Sequence, residues 1–203
     1  MKRFFSLAAA LLMAAVAMAQ APEDIISRME EEMDRHEQDG VVMTVDMKIP
    51  IVGTTSTLTY ILGDKVRAEF SVMNRKFIIW SDGQTSWEYN VADNELKISP
   101  ADASSSSGDT EMFSGITDGY DVSIKKETPD AWVILCRKSR DNKDKDAPKT
   151  MDLVVAKGSF RPLSLSARMS GVTMTMRDIS FGVTERQVTF DMSDCPGAKV
   201  VEK

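Results

Sequence analysis

Histidine is the side chain best suited to moving protons near neutral pH, and this 203-residue chain has one, His36. It falls among Glu30, Glu31, Glu32, Asp34, Arg35 and Glu37, where a solvated helix surface is the expected setting. No serine stands in a G-x-S-x-G, so the sequence supports no nucleophile elbow and no triad. One histidine and two distant cysteines, Cys136 and Cys195, do not complete a zinc site. There is no CxxC, and P-loop and dinucleotide fingerprints are absent. Asp141, Asp144 and Asp146 lack the spacing and glycine of a calcium loop and read as a solvated hairpin tip. These residues predict no enzyme, no cofactor and no metal.

The chemistry that remains is apolar. Of the 14 methionines, Met1, Met13 and Met18 lie in the first nineteen residues; the others recur on helix and strand patterns downstream. Methionine is flexible and polarizable. It fills ordinary cores, and it also serves surfaces that accept varied apolar partners.

The start of the chain reads as an export signal. Lys2 and Arg3 precede the apolar run 4–16, and Ala17-Met18-Ala19 is a small-x-small cleavage site. The run is short for a spanning helix. The expectation is a signal peptide over 1–19, cleaved after Ala19, and one domain over 20–203 in the periplasm. No cysteine follows the cleavage point to take a lipid. Losing Lys2 and Arg3 takes the net charge from −6 to −8. So acidic a chain argues against nucleic acid and against adhesion to anionic headgroups, but not against lipid tails. Export permits a disulfide, and spacing leaves open whether Cys136 and Cys195 pair.

Residues 22–38 read as a helix. Pro22 suits its first turn, Glu23 and Asp24 suit the positive end of its dipole, and Gly40 stops it. Ile25, Ile26, Met29 and Met33 form a narrow apolar stripe that must lie on another element. Strand patterns follow: Met43 to Ile49, Thr57 to Leu62, Val66 to Val72, Lys76 to Ser81, Gln84 to Val91, and Leu96 to Ile98. Asp82-Gly83 between two of them predicts a type I′ hairpin. Pro100 and Ser104 to Gly108 read as a linker, and Thr110 to Ile116 as a short helical insertion. Strands resume at Tyr120 to Lys126, Ala131 to Arg137, Thr150 to Ala156, Leu163 to Met169, Val172 to Arg177 and Gln187 to Met192. The prediction is about ten antiparallel strands in meander order, on a sheet large enough to curl.

The segment 77–90, with Ser81, Asp82, Gly83, Thr85, Trp87 and Tyr89, resembles the signature hairpin of the LolA family, the periplasmic carriers of outer-membrane lipoproteins. Val188-Thr189-Phe190 and Pro196-Gly197-Ala198-Lys199-Val200 resemble that family's closing pattern. The likeness extends over most of the chain after the leader. Where the well-studied carriers have Arg-Pro ahead of the hairpin, this chain has Leu62-Gly63-Asp64-Lys65.

The resemblance implies a mainly β, α+β fold. A curved antiparallel sheet forms an unclosed barrel, and the N-terminal helix and the helical insertion act as a lid over an apolar cavity. It implies a monomeric carrier that takes the acyl chains of lipoproteins from an inner-membrane release complex to an outer-membrane acceptor. The alternative is a non-transport periplasmic lipid-binding or sensor domain of the same superfamily. On either reading the expected cavity and lid residues are Ile25, Met29, Met33, Met43, Val45, Met47, Tyr60, Phe70, Trp87, Met112, Phe113, Ile116, Met174 and Met176. Alternation alone does not fix which face each strand residue takes, because a slip of one residue inverts it.

Overall fold

The computed structural model describes residues 20–51, 53–101 and 115–202. The expected signal peptide, Met112 and Phe113, and most of the expected helical insertion lie outside these residues.

A 13-residue helix, α1 (Pro22–Asp34), opens the described chain. A 3-10 turn (Glu37–Asp39) follows, and Gly40 ends it at φ 66°. The expected helix to residue 38 is thus split, with Arg35 as its cap. The remainder is built on one sheet of twelve strands: β1 (Val41–Ile49), β2 (Gly53–Leu62), β3 (Lys65–Val72), β4 (Arg75–Ser81), β5 (Thr85–Asn90), β6 (Glu95–Pro100), β7 (Tyr120–Glu127), β8 (Ala131–Lys138), β9 (Thr150–Ala156), β10 (Pro162–Met169), β11 (Val172–Phe181) and β12 (Lys199–Glu202). The order is β12-β6-β5-β4-β3-β2-β1-β11-β10-β9-β8-β7, and it does not close. Two meanders, β1 to β6 and β7 to β11, meet at a β1·β11 pairing that runs from Val41↔Phe181 to Lys48↔Thr173.

Two expectations are corrected. Residues 187–192 form no strand. A short helix, α2 (Glu185–Val188), takes their start, because Thr184 and Gln187 make a reciprocal capping box. The final strand β12 instead pairs parallel with β6, a departure from pure meander order. The Asp82-Gly83 turn is also not type I′, since only Gly83 has a positive φ there. Asp82 turns the chain through its carboxylate, with Oδ1 accepting from the Gln84 and Thr85 amides at 2.9 and 2.7 Å. The turns with two positive φ values are Met73-Asn74 and Ser170-Gly171, each closing a two-residue hairpin.

The sheet changes its apolar side along its width. On the face that carries α1, the helix stripe Ile25, Ile26 and Met29 packs on Ile134, Cys136, Leu153, Val155 and Leu165. On the reverse face, the other end of the sheet buries Trp80, Tyr89 and Leu96 beneath Cys195 and Phe190 of the C-terminal segment. Each end therefore has its own core, on opposite sides.

Candidate apolar binding site

Strand register gives the face of every candidate that lies on a strand. One row of paired residues crosses the helix face: Ile134, Leu153, Leu165, Met176, Val45, Thr57, Phe70 and Phe77, ending in Asn90 and Glu95. Burial falls along it. Ile134 and Leu153 are fully buried under α1 and Leu165 nearly so, whereas Met176, Val45, Phe70 and Phe77 are half-buried. Beyond α1, no described element covers the row.

At its open end the Phe70 and Phe77 rings stack, with centroids 5.5 Å apart. With Val72, Met73, Arg75 and Glu88 they line a groove of about 520 Å³. The groove has charged flanks: Arg75 pairs with Asp93 at 2.8 Å, and Glu88 faces Lys97 at 3.7 Å. Apolar rings on the floor and ion pairs at the rim can hold a hydrocarbon body with a polar end.

Most of the expected residues share this face. Ile25 and Met29 are buried in the helix contact, and Met33 is buried further along the same stripe. Met43 is buried beside Val41 and Ile61, with Val45 and Met176 against it. Met47 and Met174 are paired neighbours toward the strand ends, and Met47 is exposed. Ile116 packs against the α1 core. Phe70 is in the groove itself.

Tyr60 and Trp87 are not brought to this site. They belong to a reverse-face row of Val42, Tyr60, Arg67, Trp80 and Trp87. The Arg67 guanidinium sits 5.7 Å from the Tyr60 ring centre and 5.6 Å from that of Trp80. Trp87 stacks on Phe190 at 5.0 Å. Trp87 packs against the second core, and Tyr60 meets its edge through Arg67. Cys136 and Cys195, whose pairing the spacing left open, are not bonded. Both are free, buried thiols, one in each core, on opposite faces of the sheet.

Phe77, Val72 and Met73 were missed by sequence reasoning. Apolar residues run unbroken through Phe77-Ile78-Ile79-Trp80, so alternation is silent there. The available signal was the turn: two residues at Met73-Asn74 force Val72↔Arg75, and with it Phe70↔Phe77.

α1 is held at its C-terminal end by charge as well as by packing. Arg161, on the turn before β10, donates from Nε to Glu32 at 3.2 Å, and its Nη2 lies 3.0 Å from His36 Nε2. His36 stacks on Phe181 at 4.6 Å and bonds Asp39 through Nδ1 at 2.6 Å. Hydrogen bonds from Arg161, Arg35 and His36 outweigh desolvation and hold the Glu32 carboxyl below its ordinary value. The histidine is thus a clasp for the helix. No group of three or more possible metal-ligating side chains occurs among the described residues.

An unclosed antiparallel sheet with a helix on one face defines the fold class, and it is the class the LolA-like resemblance implied. No family model and no curated protein sequence matches the chain. Among solved structures, the Mycobacterium tuberculosis lipoprotein LppX aligns with a TM-score of 0.55 at 14% identity, over 79% of this chain and 96% of that one. A LolA superfamily protein from Nitrosomonas europaea aligns at 0.32 and 13% identity, over 85% and 99%. A MucA/MucB complex from Pseudomonas aeruginosa aligns at 0.49 and 15%, over 88% and 63%. The LppX alignment establishes a shared fold.

Proposed function

We propose that this protein is a periplasmic carrier that binds the acyl chains of lipoproteins on the helix face and delivers them from the inner to the outer membrane. The observation that supports this reading is the apolar row that leaves the cover of α1 and ends in the Phe70–Phe77 groove. Burying hydrocarbon contributes about 0.8 kcal/mol per CH₂, so half-buried rings beside exposed methionines suit capture followed by release. On this reading the partners are an inner-membrane release complex and an outer-membrane acceptor, and the protein acts as a monomer without catalysis or cofactor.

The test is direct. Protein purified from the cell envelope is extracted and its lipids identified by mass spectrometry, and its ability to release lipoprotein from inner-membrane vesicles is measured. Phe70→Ser with Phe77→Ser should abolish both co-purified acyl chains and release. Leu58→Ser, on the reverse face and similarly exposed, should leave them intact. Wild-type protein with neither acyl chains nor release would overturn the reading.

The second reading, a lipid-binding or sensor domain that moves no cargo, is favoured by the packing of the chain's own α1 onto one end of the helix face. Acyl chains in the extract without release activity would decide for it.

A further inference from the structure

The register brings the connections β1–β2, β3–β4, β5–β6, β8–β9 and β10–β11 to one end of the sheet. Two of these tips hold large apolar side chains in backbone that disfavours them. Ile51 is fully exposed at φ 72°, and Met73 is 92% exposed at φ 49°. A β-branched residue at positive φ is an outlier, and tight hairpin tips normally take Asn, Asp or Gly. Ile51 is wholly in solvent and Met73, at the lip of the Phe70–Phe77 groove, is almost so; neither belongs to a core that would explain its conformation. Val72, Met169 and Met47 extend the exposed apolar surface at the same end.

Charge is sorted along the same axis. Lys48, Lys149 and Arg168 flank the tips and make no ion pair among the described residues. The β8–β9 loop is near balance, with Arg140, Lys143 and Lys145 against Asp141, Asp144 and Asp146. At the opposite end the turns carry Asp39, Asp64, Asp82 and Asp130, while Lys157 and Arg161 there are paired with Glu127 and Glu32; at the tips, Asp93 is likewise paired, with Arg75. The net charge of −6 argues against adsorption through the surface at large, but it is not the charge that a bilayer touching the tips would meet.

We propose that this end is a membrane-docking rim. Ile51 and Met73 enter the boundary between headgroups and acyl chains, and Lys48, Lys149 and Arg168 lie against anionic headgroups. Apolar tips projecting singly beyond a basic margin fit a fluid lipid surface better than a protein partner, which would offer each side chain a shaped pocket. The rim does not rest on the carrier reading, since a domain that moves no cargo could dock in the same way.

The test is sedimentation of the envelope-purified protein with vesicles of phosphatidylethanolamine and phosphatidylglycerol, and with vesicles of phosphatidylcholine alone. Binding should be stronger to the anionic vesicles and should weaken with salt. Ile51→Asp and Met73→Asp should each lower partitioning by roughly tenfold or more, with the urea midpoint unchanged. Phe70→Ser with Phe77→Ser should still bind vesicles, which separates this outcome from failure of the carrier reading. Wild-type protein that stays in the supernatant with both vesicle types would overturn the rim. So would an Ile51→Asp/Met73→Asp double variant that sediments like wild type, or binding seen only with vesicles that contain membrane protein.

Discussion

Cys136 has no exposed surface, and burial pushes its thiol up to about 11. Burial raises Cys195 as well. A thiolate is the reactive form, so a maleimide at pH 8 should label neither cysteine in the native protein and both in denaturant. Rapid native labelling would mean that one of the cores opens. Spacing left open whether the two cysteines pair, because that depends on which side of the sheet each occupies. Gly40 is the residue whose type matters most for the chain path. Its φ is 66°, and a Cβ there would stand 2.5 Å from the Ile61 carbonyl oxygen and 2.9 Å from Val183. Gly40→Ala is expected to cost more than about 2 kcal/mol, read as a lower urea midpoint at constant m-value.

At the scale of elements, α1 was legible because its 3.6-residue stripe has one polar surround, and the stripe is what the structure buries. Truncating it should leave a cavity against Ile134 and Leu153. Met29→Ala is expected to cost about 2–5 kcal/mol, again by urea denaturation. The strands were legible by alternation, but their faces were not. Tyr60 and Trp87 read as cavity residues because aromatics on alternating positions look alike from either side. The strand expected at 187–192 failed for a local reason: the Thr184–Gln187 box closes a helical turn before strand pairing can begin.

The β1·β11 pairing adds a pH dependence. Arg177 donates from Nε to Asp46 at 2.7 Å, and Ser56 donates to it at 2.6 Å. These bonds hold the Asp46 carboxyl below its ordinary 3.8. A carboxyl depressed in the folded state contributes stability that is present above its unfolded value and is lost as pH falls through the folded one. Glu32, Asp191 and Asp194 are depressed too. Thermal stability should therefore drop as pH is lowered below about 4, and Asp46→Asn should flatten part of that drop. Glu30 works against this trend: burial raises its carboxyl, so its protonation relieves a cost as pH falls. A melting temperature that stays level from pH 5 to pH 2 would contradict the assignment.

For the whole molecule, the unclosed sheet followed from strand count and meander order. The two-sided core did not, because the chain that covers the second side, Glu185 to Ala198, comes some ninety residues after the strands it covers. The seam between meanders has a further consequence, in time. Every pairing within a meander joins strands that are neighbours in sequence, whereas Asp46 and Arg177 at the seam are 131 residues apart. Contacts of low sequence separation are reached first, and a long loop closes only after its entropy has been offset. The meanders should therefore form as separate units that zip together late. Pulsed hydrogen exchange during refolding should protect β3 and β4 amides before those of β1 that face β11. Asp46→Asn, acting at a contact absent from the transition state, should speed unfolding and leave the folding rate nearly unchanged.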